Sequence, residues 1–111
     1  MKRPSVARFA DEKLKIAFYS LKEGDYSDRQ LFEAVHKAVQ TIEQNAFSGI
    51  QLRKYLIPKE YQVKYAVKNL WKYNLPNGWR LLYSIEQEDL VIISVILEWF
   101  DHKEYERKLG Y

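Results

Sequence analysis

The chain has 111 residues and a formal net charge of +3, with 47% hydrophobic and 30% charged residues. This length fits one domain, which we expect to span 1–111, and the composition supports a folded core. The absence of cysteine excludes disulfides, thiolate metal sites and cysteine nucleophiles. The longest apolar run, Leu90–Leu97, is far shorter than the roughly 20 residues of a membrane helix, and the basic N-terminus lacks an apolar signal segment. We therefore expect a cytoplasmic protein with no membrane partner.

Two amphipathic helices are predicted in the first half of the chain, after a short strand at 5–9. Asp11 is placed to cap a helix over about 12–22. Ser27–Gln30 matches the S-x-x-Q capping box, which predicts the start of a second helix over about 28–46. The apolar residues of this second helix recur at helical spacing at Leu31, Val35, Ala38 and Ile42. Two such helices joined by a short polar loop predict a helical hairpin.

Gly49 ends the helical half, and a change to a two-residue period from Val67 predicts three strands in the second half. Residues 50–66 are open between helix and loop, with Pro58 suited to a first helical position. The remaining elements are a strand at 67–74, a turn at 75–78, a strand at 79–85, a polar turn at 86–89, a central strand at 90–99 and a helical turn at 102–109. This order predicts an α+β fold with the helical hairpin packed on one face of a small antiparallel sheet. The other face is then expected to be open to a ligand.

Positive charge is concentrated in residues 49–80, which we call the basic block. It holds seven Lys or Arg residues against one acid, Glu60, and six aromatic residues lie among them. Cations interleaved with aromatics suit phosphate neutralisation and base stacking, whereas the alternative is a solvated basic face over an aromatic core. The candidate RNA contacts in this block are Arg53, Lys54, Lys64, Lys68 and Trp71.

Three residues suggest chemistry: Arg80, the last cation of the basic block, and His102 and Tyr105 beyond it. Arg80 follows directly after the 75–78 turn, and the planar fork of a strand-borne arginine suits a phosphate, although pairing with an acid of the next strand is the alternative. His102 and Tyr105 would share one face of a helix. His36 is interpreted as a surface or partly packed residue of the second helix. Phosphate-loop, nucleotide-binding and metal motifs are absent from the sequence, so we expect no cofactor and no metal.

Three segments together resemble a known superfamily. NAFSGIQL (45–52) resembles an Asn-Pro-x-x-Gly-x-x-Leu junction, NGWRLLYSI (77–85) a Gly-Tyr-Arg-Leu-x-Tyr strand, and LVIISVILEWFDHKEY (90–105) a final strand with a His/Lys/Tyr tail. In this order they resemble the RelE/ParE toxins of type II toxin–antitoxin systems. The resemblance implies a β-α-α-β-β-β fold and a cognate antitoxin that covers the basic face.

RelE-like members of this superfamily are metal-independent endoribonucleases that cut mRNA on the ribosome. By this resemblance, Arg80 would bind the scissile phosphate, and Lys72, with Lys68, would hold phosphates or supply a base. His102 would act as acid or base, and Tyr105 would stack on a base or share the proton transfer.

Two alternatives stay open. ParE-like members inhibit DNA gyrase without cleaving anything, and a degenerate member would bind RNA or protein without chemistry. Two features favour these alternatives: position 70, where a second catalytic lysine is expected, is leucine, and the C-terminal tail is acidic. The acidic residues of this tail are Glu98, Asp101, Glu104 and Glu106. His102 next to a cationic strand favours the ribonuclease. The oligomeric state is open between a homodimer and a heterotetramer with the antitoxin.

Overall fold

The computed structural model describes residues 4–110, in which four α-helices surround a five-stranded sheet. The elements are β1 (Ser5–Phe9), α1 (Glu12–Ser20), α2 (Tyr26–Gln44), β2 (Ile50–Gln51), α3 (Lys59–Tyr65), β3 (Trp71–Asn74), β4 (Arg80–Glu88), β5 (Val91–Phe100) and α4 (His102–Leu109). The strand order is β1-β5-β4-β3-β2. The predicted α+β class is confirmed. The sheet is mixed, however, because β1 runs parallel to β5 while the other neighbours are antiparallel.

The start of α1 agrees with the sequence. The Asp11 carboxylate accepts a hydrogen bond of 2.8 Å from the backbone N–H of Leu14, as an N-cap does. The helix ends at Ser20, and a 3₁₀ turn over Leu21–Glu23 completes the predicted segment.

The start of α2 lies earlier than the sequence indicates, at Tyr26. Asp25 is the N-cap: its carboxylate accepts from the backbone N–H of Asp28, and the Asp28 carboxylate accepts from the N–H of Asp25. The capping box predicted at Ser27–Gln30 is therefore wrong. A carboxylate caps as well as a hydroxyl and also interacts favourably with the positive end of the helix dipole.

The helical hairpin packs on one face of the sheet, as predicted. Phe18 of α1 and Phe32 of α2 stack with ring centroids 4.6 Å apart. The buried residues of this core are Phe18, Phe32, Val35, Ala38, Ile42, Leu75, Leu81, Tyr83 and Ile96. Within residues 4–110, no helix is long and apolar enough to cross a membrane.

The opposite face of the sheet is also covered, which corrects the expectation of an open face. Helices α3 and α4 pack there over a second core, and they bury Tyr61, Tyr105 and Leu109. The strands contribute Leu82, Ile93, Val95 and Leu97 to this core, and Leu70, directly before β3, joins them. The central strand β5 is therefore buried on both faces along its middle, as its continuous apolar run predicts.

The strand predicted from Val67 begins only at Trp71. The side chain of Asn69 occupies the place of a backbone partner opposite Ile85. Its Oδ1 accepts from the Ile85 N–H and its Nδ2 donates to the Ile85 carbonyl, both at 2.8 Å. Because the amide satisfies both backbone groups, the chain before β3 can leave the sheet without orphaning them.

Two of the segments that carry the family resemblance are tied to each other at Tyr83. Its buried hydroxyl donates to the carbonyl of Ala46 at 2.7 Å and accepts from the backbone N–H of Gly49 at 3.0 Å. Burial raises the pKa of the Tyr83 hydroxyl. This link holds the junction 45–52 against the strand segment 77–85.

A β-bulge shifts the pairing of β4 with β5. Leu82 pairs with Glu98 and Tyr83 pairs with Ile96, so Leu97 is the extra residue. The bulge places Glu98 on the same sheet face as Leu82, under α3 and α4. Without it, the two-residue period would give Glu98 the opposite face.

The turn between β3 and β4 confirms the signal at 75–78. Asn77 and Gly78 both adopt left-handed backbone angles, with φ of 62° and 79°. The next turn is shorter than predicted because β4 extends to Glu88, which leaves Asp89 with φ of 54° to reverse the chain.

Candidate functional site

Lys72, Arg80 and Tyr105 come together on the sheet face that α4 covers; we call them the cation cluster. Lys72 pairs with Leu82 across the strands, and Asn74 pairs with Arg80, so both cations lie on the Leu82 face. Lys72 Nζ and Arg80 Cζ each lie 5.6 Å from the centroid of the Tyr105 ring. One aromatic ring therefore holds two cations of adjacent strands by cation–π contact.

Arg80 is half-buried at the start of β4. Its Nη1 donates to the carbonyl of Trp79 at 3.2 Å, whereas its buried Nε has no hydrogen-bond partner among residues 4–110. A buried donor without a protein partner is uncommon, and a bound water, an ion or a ligand group is a usual explanation for one. The guanidinium is thus held by the strand while part of its hydrogen-bonding capacity is unused within the described residues.

His102 begins α4, next to the β3–β4 turn. A Cβ added to Gly78 would lie 3.5 Å from the Cβ of His102, so the helix start and the turn are neighbours. The imidazole is exposed, and its Nε2 lies 2.6 Å from Glu106 Oε1, one helical turn later. His102 lies two residues beyond Phe100, the β5 partner of Arg80, so the start of α4 is next to the cation cluster.

Tyr105 itself is only 3% exposed. It packs with Leu109 in the second core, so its ring is part of the attachment of α4 to the sheet. In this conformation the ring contacts cations and core residues. A nucleobase stacking on it would require α4 to move.

Other predicted RNA contacts lie apart from the cation cluster. Lys68 is exposed in the segment before β3 and does not share a strand with Lys72. Lys64 is on α3, where its Nζ lies 3.6 Å from the Asp11 carboxylate. Trp71 is on the opposite sheet face and packs on Tyr83, with ring centroids 6.2 Å apart. Its ring is therefore on the helical-hairpin side of the sheet.

The positive charge of the basic block is largely uncompensated within the structure. Lys64 forms an ion pair, but the described residues form none with Arg53, Lys54, Lys59, Lys68, Lys72 or Arg80. By contrast, Arg107 and Lys108 of α4 pair with Glu104 and Glu60. Lys108 therefore engages Glu60, the one acid of the basic block, and the cations of the block are left available to an external anion.

A cleft of about 300 Å³ lies between α1 and α3, away from the cation cluster. Two tyrosine–carboxylate hydrogen bonds line it: Tyr65 donates to Asp11 at 2.7 Å, and Tyr61 donates to Glu98 at 2.5 Å. Burial, followed by the hydrogen bond to Glu98, raises the pKa of Tyr61. A larger cleft of about 500 Å³ lies between α2 and the β3–β4 turn. Neither cleft includes Lys72 or Arg80, and residues 4–110 hold no group of three potential metal-ligating side chains.

The Asp11–Tyr65 hydrogen bond should make stability depend on pH in acid. It is the main cause that lowers the pKa of Asp11 below its ordinary value, followed by the Leu14 N–H. Because the folded-state pKa is lower than the unfolded one, the stabilisation is complete above about pH 4 and is lost as the pH falls through the folded-state value. We expect Tyr65→Phe to lower the free energy of unfolding more at pH 6 than at pH 3, as measured by urea unfolding. Tyr26→Phe is the control, and an equal effect of Tyr65→Phe at both pH values would contradict the prediction.

Sequence reasoning missed the burial of the site by α4. The apolar residues of α4 at positions 105 and 109 indicate one buried helix face, but nothing local indicates which sheet face receives it. The sequence analysis also did not identify Asn74, which is exposed and pairs with Arg80 on the sheet face of the cation cluster.

Comparison with known proteins gives one family. Residues 7–98 match the family described as ParE toxin of type II toxin-antitoxin system, parDE. No curated protein and no solved structure matches the chain significantly. The matched range includes Lys72 and Arg80 and ends before α4.

Proposed function

This chain belongs to the family of ParE toxins of type II toxin–antitoxin systems, and we propose that it acts as a ribosome-dependent endoribonuclease. Membership of the family implies an antitoxin partner. It does not distinguish RNA cleavage from inhibition of gyrase, so the choice between them depends on the site.

The observation that carries the proposal is the placement of Lys72 and Arg80 on one sheet face with His102 beside them. RNA cleavage without a metal needs cations for the phosphate and a group that carries a proton. The strands fix both cations in register, and α4 supplies the histidine. A charged clamp beside an imidazole is the arrangement this chemistry requires.

In the proposed reaction the ribose 2′-oxygen attacks the adjacent phosphorus. The 2′-O–P bond forms, the bond from phosphorus to the 5′-oxygen breaks, and the products are a 2′,3′-cyclic phosphate and a 5′-hydroxyl. Arg80 and Lys72 would stabilise the extra negative charge of the phosphorane. Lys72 would also accept the proton of the 2′-hydroxyl, and His102 would donate one to the leaving 5′-oxygen. Tyr105 would hold the two cations in position.

A second candidate is a non-catalytic inhibitor of DNA gyrase, the activity of ParE-like members. It is favoured by the cover that α4 places over the cation cluster and by the contact of His102 with Glu106. In this interpretation the half-buried Arg80 is structural, and the exposed cations of the basic block serve to bind the antitoxin.

The test is to map mRNA ends by primer extension in a reconstituted translation reaction, with and without ribosomes. The endoribonuclease should produce cuts at defined codon positions only when ribosomes are present. Intact mRNA at high protein concentration, together with loss of gyrase supercoiling activity, would overturn the proposal in favour of the second candidate.

A further inference from the structure

Among the aromatic residues of the basic block, Tyr55 differs from the others in its exposure. Its side chain is 78% exposed. The other five are buried or half-buried: Tyr61, Tyr65, Trp71, Tyr73 and Trp79. Of the aromatics that suggested base stacking, Tyr55 is therefore the one whose ring faces open solvent.

The backbone holds Tyr55 in a fixed position. It lies in a 3₁₀ turn, Lys54–Leu56, in which Leu56 N–H donates to the Arg53 carbonyl at 2.9 Å and Ile57 N–H donates to that of Lys54 at 3.1 Å. Ile57 is buried in the second core and anchors the end of the turn. An exposed ring on an anchored turn loses little conformational freedom when a ligand stacks on it.

The charge around Tyr55 is positive and uncompensated. Arg53 and Lys54 precede it, Lys59 follows, and all three are exposed without an ion pair in the described part of the chain. The turn also follows β2, whose Ile50 pairs with Lys72. A strand of RNA at the cation cluster could therefore continue along this edge of the sheet.

We propose that the turn Arg53–Tyr55 is a second contact for single-stranded RNA, in which Tyr55 stacks on an unpaired base. Arg53 and Lys54 contact the phosphates on either side of that base. The inference rests on the proposed function, since it names where the substrate binds beyond the scissile phosphate. An aromatic ring between uncompensated cations is the combination that proteins use for single strands.

The first test measures binding without cleavage. A fluorescent RNA of about 12 nucleotides, 2′-O-methylated throughout to prevent 2′-oxygen attack, is titrated with protein and followed by anisotropy. Tyr55→Ala should weaken binding about fivefold or more, whereas Tyr55→Phe should stay within about twofold of wild type because phenylalanine still stacks. Tyr26→Ala is the matched control, since Tyr26 is a 68% exposed tyrosine on α2. Equal affinities for Tyr55→Ala and Tyr26→Ala would overturn the inference.

The second test measures the salt dependence of the same binding. The double variant Arg53→Gln/Lys54→Gln should reduce the slope of log K against log salt by about 0.7 for each phosphate that the turn no longer neutralises. Lys13→Gln/Lys15→Gln removes the same charge from α1 and should leave the slope nearly unchanged. An equal change of slope in both double variants would show a general charge effect and contradict a contact at the turn.

Failure of this inference can be told apart from failure of the proposed function. Tyr55-dependent RNA binding by a protein that leaves ribosomal mRNA intact would support the contact and refute the ribonuclease. Ribosome-dependent cleavage and RNA binding that are unchanged in Tyr55→Ala would support the ribonuclease and refute the contact. If Tyr55→Ala keeps its RNA affinity but binds an acidic peptide more weakly than wild type does, the turn belongs to a protein partner and the inference is wrong.

Discussion

Replacing Arg80 with alanine is expected to lower the rate of ribosome-dependent mRNA cleavage by about 10²–10³ while the protein stays folded. Removal of one preorganised donor from a developing oxyanion has effects of this size in other enzymes. Arg80 is held by β4, by the Trp79 carbonyl and by the Tyr105 ring, so its guanidinium needs little reorganisation to meet a phosphate. The measurement is the single-turnover cleavage rate on programmed ribosomes, with circular dichroism and thermal unfolding to establish the fold.

Two further variants separate charge, geometry and folding. Arg80→Lys keeps the charge but loses the planar fork, and we expect an intermediate rate. Arg107→Ala removes an exposed arginine of α4 that pairs with Glu104, and it should cleave like wild type. A folded Arg80→Ala protein with the wild-type cleavage rate would refute the role of Arg80 at the phosphate.

The sequence predicted elements correctly where neighbouring residues decide the conformation. Asp11 caps α1, and Asn77-Gly78 forms the turn between β3 and β4, because the side chain or the backbone angle acts within a few residues. The start of α2 shows the limit of this reasoning. Both Asp25 and Ser27 have capping chemistry, and the choice depends on how the whole hairpin loop closes.

Distant contacts explain the elements that the sequence could not predict. The strand before the 75–78 turn is short because Asn69 pairs with Ile85, a residue of the next strand. Helix α3 lies in the segment that was open between helix and loop, and the buried ring of Tyr61 fixes it. Local residue patterns do not reveal such contacts, because the contacting residues come together only when the whole sheet has formed.

The candidate site was predictable only where local patterns determine it. The two-residue period and the turn at 75–78 place Lys72 and Arg80 near each other on adjacent strands, and the structure has them on one face. The helical spacing places His102 near Tyr105. What the sequence did not contain is the docking of α4 onto this face, because the interaction that fixes it is the packing of Tyr105 and Leu109 in the second core.

Replacing Gly49 with alanine is expected to destabilise the fold by about 3 kcal/mol, at the upper end of what overpacking costs. The reason is space, not backbone conformation. A Cβ at this position would lie 2.5 Å from the Lys72 carbonyl oxygen and 2.6 Å from the Tyr83 hydroxyl. The first of these is backbone, so β2 must move away from β3, and the Gly49–Tyr83 hydrogen bond is strained. For a domain of this size the melting temperature should fall by about 10–15 °C.

Gly110→Ala is the matched control for this prediction. Its added Cβ would have no atom within 4 Å, so its cost is limited to that of a left-handed alanine with φ of 77°, about 1–2 kcal/mol. Combining Gly49→Ala with Tyr83→Phe removes the hydroxyl clash but keeps the clash with the Lys72 carbonyl, so the double variant should not recover wild-type stability.

Gly49→Ala should also slow mRNA cleavage in the surviving folded protein, because displacement of β3 moves Lys72 relative to Arg80. A Gly49→Ala protein as stable as wild type would show that β2 yields freely and that the junction does not fix Lys72.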